Sequence, residues 1–427
     1  MIPESRTFPE DFLWGASTSS HQVEGDNTAN DWWAWEHQRP ELIRGGRLSG
    51  AAAEWWSHRA EHDLDLAVDL GHNAHRLSLE WSRLEPEPGV VSSRALDRYR
   101  QILDHASRRG LKVFVNINHF TLPGWFAERG GWLSPEAIPR FRAYARMCAL
   151  ELGDLVSAFL TINEPSVLAY KGYLQGMWPP GARNLRLAGR CLARQLDGHG
   201  AAYVEIKRNR PDVPVGIAIN VPSFDPSRPG RIRDRLSSGM LDWLINGALL
   251  YELRNGRRAP PFGLGLSSAR RMLDFVGLNF YGMYEVRHEW GGRPRLVQRP
   301  TIATETADWG RPSAERFERV LLRLAQLKIP ILVTENGLFD PDDAQRPQYI
   351  VDHVAAVHRV LQKGVDVLGY CHWSLIDNFE WAQGWTAPFG LIGLDPRDQS
   401  RTIKRSAQVL QSIARSNALP EPGWDPR

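Results

Sequence analysis

Apolar residues gather in short runs along the chain. Between the runs lie longer stretches in which apolar positions recur every three or four residues. The runs are Phe12–Ala16, Ala74–Leu79, Val113–Asn118, Ala158–Ile162, Val215–Ile219, Phe275–Asn279, Ile331–Thr334 and Val365–His372. Most are continuously apolar, the pattern of strands covered on both faces in a parallel sheet. The intervening stretches carry helix signals. Ser93 is placed to cap a helix in which Leu96, Tyr99, Leu103 and Ala106 share a face and which Gly110 ends. Ser134-Pro135-Glu136 is a start signal with proline at the first helical position. Phe141, Tyr144, Ala145, Cys148, Ala149 and Leu152 then form a stripe closed by Gly153, and Ile350, Val354, Val357 and Leu361 do the same before Gly364.

Eight strands alternating with helices predict an α/β fold, either a closed (β/α)8 barrel or an open doubly wound sheet. Polar residues follow nearly every strand instead of one switch point. That favours a TIM barrel with its active site at the C-terminal ends of the strands. Without a low-complexity linker or a short repeat, the expectation is a single barrel over residues 1–427.

Composition narrows the function. The 52 basic and 49 acidic residues nearly balance, so neither nucleic acid nor a membrane is an expected partner. Arg231, Arg233 and Arg235 make one local basic run, which reads as a solvated face. Three cysteines without a CxxC pair suit a reducing compartment, and the N-terminus shows no basic region followed by an apolar run. A cytoplasmic protein of open oligomeric state is the expectation. Among 17 tryptophans, Trp14, Trp81, Trp125, Trp373, Trp381 and Trp385 fall beside strand ends, which predicts a pocket walled by flat apolar faces.

The candidate chemistry is a pair of carboxylates in matching settings. Leu160-Thr161-Ile162-Asn163-Glu164-Pro165 and Leu332-Val333-Thr334-Glu335-Asn336-Gly337 each bring a glutamate to the end of an apolar strand. Two carboxylates facing across a pocket are the minimum equipment for breaking a glycosidic bond with retention of configuration. Other strand ends supply Gln22, Arg76, His119, Asn163, Asn279, Tyr281, Trp373, Glu380 and Trp381. Taken alone, His119 reads as a core or loop histidine, Arg76 as half of a structural salt bridge and Trp373 as core. Their convergence on one face of one barrel is what argues for a site.

Six segments, in order, resemble glycoside hydrolase family 1. Phe12-Leu-Trp-Gly-Ala-Ser-Thr-Ser-Ser-His-Gln-Val-Glu-Gly25 is similar to its N-terminal signature. Thr161-Ile-Asn-Glu-Pro165 is similar to its acid/base motif and Val333-Thr-Glu-Asn-Gly337 to its nucleophile motif. Ser374-Leu-Ile-Asp-Asn-Phe-Glu-Trp381 is similar to its sugar-binding segment, and Arg76-Leu-Ser-Leu-Glu-Trp-Ser-Arg83 and Asn118-His-Phe-Thr-Leu-Pro123 match as well. The resemblance runs from about Phe8 to Arg415.

The resemblance implies a retaining β-glycosidase, foremost a β-glucosidase with galactosidase or fucosidase activity, acting on a small β-glycoside or oligosaccharide. It implies Glu335 as nucleophile, held ionised by Arg76 and Tyr281 with Asn279 in support, and Glu164 as general acid, resting protonated. By the same carry-over Asn163 bonds the sugar 2-hydroxyl. Gln22, His119, Glu380 and Trp381 grip outer hydroxyls, Trp373 stacks under the ring, and Phe389 closes one side. Glu380-Trp381 favours an unphosphorylated sugar, because the phosphosugar branch replaces that pair. Glu164 favours O-glycosides, because thioglucosidases carry glutamine there. No cofactor is implied, since protein carboxylates carry both steps.

Two regions depart from the family pattern. They are Val221 to Asp274, with Ser237-Ser-Gly-Met-Leu-Asp-Trp-Leu244 and Arg257-Arg-Ala-Pro-Pro261, and the run Ala307-Asp-Trp-Gly-Arg-Pro312. They predict a wide or reshaped aglycone side, with Trp178, Phe224 and Trp309 as candidate contacts. A transglycosylase on the same two glutamates and a catalytically idle sugar binder are the rival readings. A metal site at His58, His62 and Asp63 is disfavoured, because neither histidine is followed by glutamate in HExxH order and a solvated helix face accounts for them.

Overall fold

The computed structural model describes residues 6–260, 263–269, 271–289, 294–297 and 309–421. Eight parallel strands close a barrel in sequence order: β1 (Leu13–Ser17), β2 (Ala74–Ser78), β3 (Lys112–Asn116), β4 (Ala158–Asn163), β5 (Val215–Asn220), β6 (Phe275–Phe280), β7 (Ile331–Asn336) and β8 (Val367–Trp373), with β8 returning to β1. All eight predicted strands are present, with ends displaced by one or two residues. Helices follow each strand, among them Ser93–Arg108, Ala137–Leu152, Leu185–Asn209, Ala314–Leu324, Arg346–Gln362 and Arg405–Ser416.

Most of the strands are largely apolar because both of their faces are covered. Inward side chains (Ala74, Phe114, Ala158, Leu160, Ala218, Phe275 and Leu332) fill the barrel, and outward ones such as Val115, Phe159, Ile217 and Val333 pack under the helices. The stripe Phe141, Tyr144, Ala145, Cys148, Ala149 and Leu152 is buried as predicted. The cap of the preceding helix is Ser92, not Ser93: Ser92 Oγ accepts from the Ala95 amide at 3.2 Å while Ser93 is the first helical residue. Asn417, in left-handed conformation, ends the last helix and ties it to the first strand. Its amide donates to the Phe8 carbonyl at 3.0 Å and its Oδ1 accepts from Trp14 Nε1 at 2.9 Å.

Two expectations fail here for physical reasons. His58, His62 and Asp63 do not share a solvated helix face. His58 has φ 73° in an irregular turn before the helix Ala60–Asp69. Asp63 is wholly buried, accepting from Trp55 Nε1 at 2.8 Å and from Arg401 at 3.0 and 3.1 Å. Trp14, Trp81, Trp125 and Trp385 do not wall the pocket. Trp14 packs on Phe8 and Phe12, Trp81 and Trp125 pack around Phe126, and the Trp385 ring hydrogen-bonds the Leu48 carbonyl at 3.0 Å. Proximity to a strand end in sequence does not distinguish the barrel axis from the layer beneath the helices. Among the described residues, no helix is long and apolar enough to cross a membrane.

Candidate active site

At the C-terminal mouth of the barrel lies a cavity of about 460 Å³. Glu164, Glu335, Asn163, His119, Tyr281, Trp373, Glu380 and Trp381 all line it. The two glutamates reach it through breaks in strand alternation. On β4, Ala158 and Leu160 point into the barrel, so strict alternation would turn Ile162 inward and Asn163 outward. A register shift between Leu160 and Asn163 reverses this: Ile162 joins the outer core and Asn163 faces the cavity. On β7, shifts after Val333 against both neighbouring strands do the same for Glu335. Glu164 follows β4 with φ 45°, a left-handed conformation unusual for a residue with a side chain and characteristic of functional sites.

A continuous hydrogen-bonded path joins the two carboxyls. Arg76, on β2 two residues beyond the inward Ala74, is fully buried and pairs through Nη1 with Glu335. Its Nη2 donates to Asn163 Oδ1 at 2.7 Å. Asn279 Nδ2 donates to the same Oδ1 at 3.1 Å and to Glu164 Oε1 at 2.7 Å. Thr334 Oγ1 donates to Asn279 Oδ1 at 2.6 Å, which fixes the amide's orientation. On the other side of Glu335, Tyr281 donates its hydroxyl to Oε2. Glu335 thus receives a cation and a hydroxyl donor. Glu164 has the opposite surroundings. Burial, and after it the charge on Glu335, raises its pKa well above the ordinary carboxyl range, against the Asn279 bond, which lowers it. Within one cavity, then, one carboxyl is pushed up by burial while the other is held by a cation and a hydroxyl donor.

Another wall of the cavity is built around Glu380 and His119. Glu380 is pushed up to about 8, first by burial and then by the Glu335 charge. Gln22 Nε2 donates to Glu380 Oε2 at 3.0 Å and to Asn378 at 2.8 Å. Gln22 therefore sits behind Glu380 and not on the cavity wall. Burial holds the His119 pKa well below its usual value, so the ring is neutral. Asn163 Oδ1 is occupied as an acceptor, so its Nδ2 donates to His119 Nε2, at 3.1 Å. The His119 ring lies nearly parallel to both Trp373 and Trp381, at 19° and 13°.

Phe389 does not close the pocket. It is buried behind it, packed edge-on against Tyr281 and Trp309, and so supports the wall that those two residues present. Trp178, Phe224 and Trp309 do line the cavity, as expected for the outer side. Of the segments that depart from the family pattern, Pro261, Phe262, Arg270, Ala307 and Asp308 lie outside the described residues. The remainder contributes Pro222, Leu241 and Ile245 to the wall, besides Phe224 and Trp309. Sequence reading left out Asn220, which ends β5, lines the cavity and hydrogen-bonds Glu164. Its position after a strand was the available signal, since β5 was the strand without a candidate. Tyr170, Lys171 and Gln175 from the helical segment Ala169–Gln175, Tyr284 from the outer strand Met283–His288 and Gln383 from the turn Trp381–Gln383 also line the cavity. Among the described residues, no group of three His, Cys, Asp or Glu is placed to hold a metal ion.

Known proteins carry the same architecture over their full length. The chain is 29% identical to beta-glucosidase A of Thermotoga maritima, covering 97% of this chain and 99% of that one. It is 30% identical to a beta-galactosidase of Sulfolobus acidocaldarius, covering 97% and 96%. The structure superposes on a beta-glycosidase from Pyrococcus horikoshii with a TM-score of 0.90 at 34% identity, covering 98% and 97%. The Thermotoga maritima beta-glucosidase in complex with glucoimidazole gives 0.91 at 29%, covering 97% and 100%. With residues 4–256 and 268–419 matching the family model as well, the chain belongs to glycosyl hydrolase family 1, a family of retaining β-glycosidases.

Proposed function

We propose that this family 1 enzyme removes terminal, unphosphorylated β-D-glucosyl residues, with β-D-galactosyl or β-D-fucosyl residues as further substrates. In the first step Glu335 attacks the anomeric carbon as its carboxylate, while Glu164 gives its proton to the departing glycosidic oxygen. Charge on Glu335 is neutralised as the glycosyl ester forms, and that same change lowers the Glu164 pKa. Glu164, now ionised, then takes a proton from water as the water displaces Glu335. Arg76 and Tyr281 hold the nucleophile, and Asn279 positions both Glu164 and Asn163. Asn163 is assigned to the 2-hydroxyl, where a hydrogen bond strengthens in the transition state. Glu380, braced by Gln22, and His119 and Trp381 take the outer hydroxyls, over the face of Trp373.

The observation that carries this reading is the path from Glu335 through Arg76, Asn163 and Asn279 to Glu164, which holds two carboxyls in contrasting surroundings within one cavity. Three buried, unpaired cysteines support residence in a reducing compartment such as the cytoplasm. The test is a panel of aryl β-glycosides (glucoside, galactoside, fucoside, mannoside and 6-phosphoglucoside), with Glu335→Gln as control and the first-formed anomer followed by NMR. Release from the glucoside as the β-anomer, abolished in the variant, is expected. First release of the α-anomer overturns the mechanism. Preference for the 6-phosphoglucoside overturns the assignment of the sugar.

A further inference from the structure

The helix Ile232–Asp242 is built inside out. Its buried face is polar. Asp234 is fully buried and accepts from Arg228 at 2.7 and 2.8 Å and from the His288 amide at 3.0 Å. Ser237 Oγ contacts His288 Nδ1 at 3.0 Å, and Ser238 Oγ donates to the Arg235 carbonyl at 3.0 Å. The outward face is apolar: Ile232 is 62% exposed, Leu236 67%, Met240 46% and, one turn on, Trp243 40%. A helix that faces water normally shows the reverse. Folding gains nothing from this stripe, whereas a contiguous exposed apolar face marks a contact surface.

The stripe also has a place. Leu241 and Ile245, on the same stretch of chain, line the outer part of the catalytic cavity beside Phe224 and Trp309. The helix therefore runs from the aglycone mouth to open solvent. Beside the stripe, Arg231, Arg233 and Arg235 are exposed and form no ion pair among the described residues. Composition alone sets these arginines aside as a solvated face; the orientation of the helix gives them a role.

We propose that this helix seats the enzyme on an anionic lipid surface, and that the aglycone mouth beside it receives β-glycosides whose long alkyl aglycones are anchored in that surface. Ile232, Leu236, Met240 and Trp243 enter the acyl boundary while the three arginines meet the headgroups, the division of labour of an interfacial helix. A second copy of the chain is a poorer occupant. A twofold contact through this stripe would set the three arginines against those of the partner. The substrate half of the proposal rests on the glycosidase reading above, whereas the docking half does not, so the two can fail separately.

The experiment is co-sedimentation of the full chain with phosphatidylcholine vesicles, with and without phosphatidylglycerol. It is paired with hydrolysis of a long-chain alkyl β-glucoside held in those vesicles and of a water-soluble aryl β-glucoside. Two variants are compared, I232S/L236S/M240S and R231S/R233S/R235S, with near-UV circular dichroism to verify folding. Wild type is expected to bind the phosphatidylglycerol vesicles. Each basic residue near an anionic surface strengthens binding about fivefold, so the arginine variant should lose about a hundredfold in affinity. The apolar variant should bind more than about tenfold more weakly and lose the alkyl glucoside, while keeping the soluble one. Absence of vesicle binding by wild type overturns the docking. So does unchanged binding by both variants, and so does a dimer that I232S/L236S/M240S dissolves. Vesicle binding without preference for the alkyl glucoside overturns the substrate half alone.

Discussion

Replacing Asn163 by alanine tests the organisation of the site most directly. One side chain there accepts from Arg76 at 2.7 Å and from Asn279 at 3.1 Å and donates to His119 at 3.1 Å, and it is the group assigned to the sugar 2-hydroxyl. Truncation leaves two buried donors short of an acceptor. Each such loss costs about 1–3 kcal/mol, so a lower melting temperature is expected. For catalysis, a hydrogen bond to a centre that gains charge in the transition state contributes about 1.5–3 kcal/mol, or roughly 10- to 150-fold in rate. The loss should fall on kcat more than on KM, because the interaction matures only in the transition state. Stability and substrate effects separate in a cycle of wild type and Asn163→Ala, each assayed on an aryl β-glucoside and its 2-deoxy analogue. The deletion should cost the variant far less than it costs wild type, with an interaction free energy of about 1.5–3 kcal/mol. Effects that add to within about 0.5 kcal/mol would refute the assignment of Asn163 to the 2-hydroxyl.

Three further outcomes follow from the same geometry. Burial and the Glu335 charge raise the Glu164 pKa from its ordinary value near 4.5, so the folded chain keeps a proton that the unfolded chain has already released. Stability therefore falls as pH rises through that window, and inactive Glu164→Gln should melt increasingly above wild type from about pH 5 to about pH 8; a gap that narrows with rising pH sinks the argument. In Gly337→Ala a Cβ would stand 2.1 Å from the Trp373 carbonyl oxygen, forcing β7 and β8 apart beside Glu335. Calorimetry should show a loss of at least about 1–3 kcal/mol, accompanied by lower kcat, and an unperturbed variant would show that the approach of the two strands is not needed. Asp63→Ala strands the buried Arg401 and removes the acceptor of Trp55, at a cost of about 3–5 kcal/mol, with kcat/KM unchanged below the unfolding transition. An unchanged melting temperature would mean that this pair does not hold the C-terminal segment to the helix Ala60–Asp69.

Legibility followed the physics of each feature. Most of the strands were readable because a strand buried on both faces is apolar along most of its length, as in Val215–Ile219. The two glutamates were readable because each ends such a run. The side that each residue faces was less readable. Alternation from Leu160 would turn Asn163 away from the cavity, and only the register shift in β4 brings it back. Phe389 and Gln22 sit one layer behind the positions expected of them, since nothing local separates a wall residue from its support. Asp63 was read as solvated because its partner Arg401 lies near the other end of the chain. Ile232, Leu236 and Met240 have the spacing of a core stripe and face outward, because Asp234 and Ser237 find partners inside.

By itself, the sequence determined the barrel, the order of its strands and the two carboxyls that strand ends bring to one cavity. Those follow from local hydrophobicity and from motifs that each occupy one strand and its loop. Tertiary structure alone decided which carboxyl pairs with Arg76, which aromatic rings line the cavity and which face of Ile232–Asp242 meets solvent. Each of those depends on charges and packing partners brought together from distant parts of the chain, and burial and Coulomb interaction act through space and not along sequence.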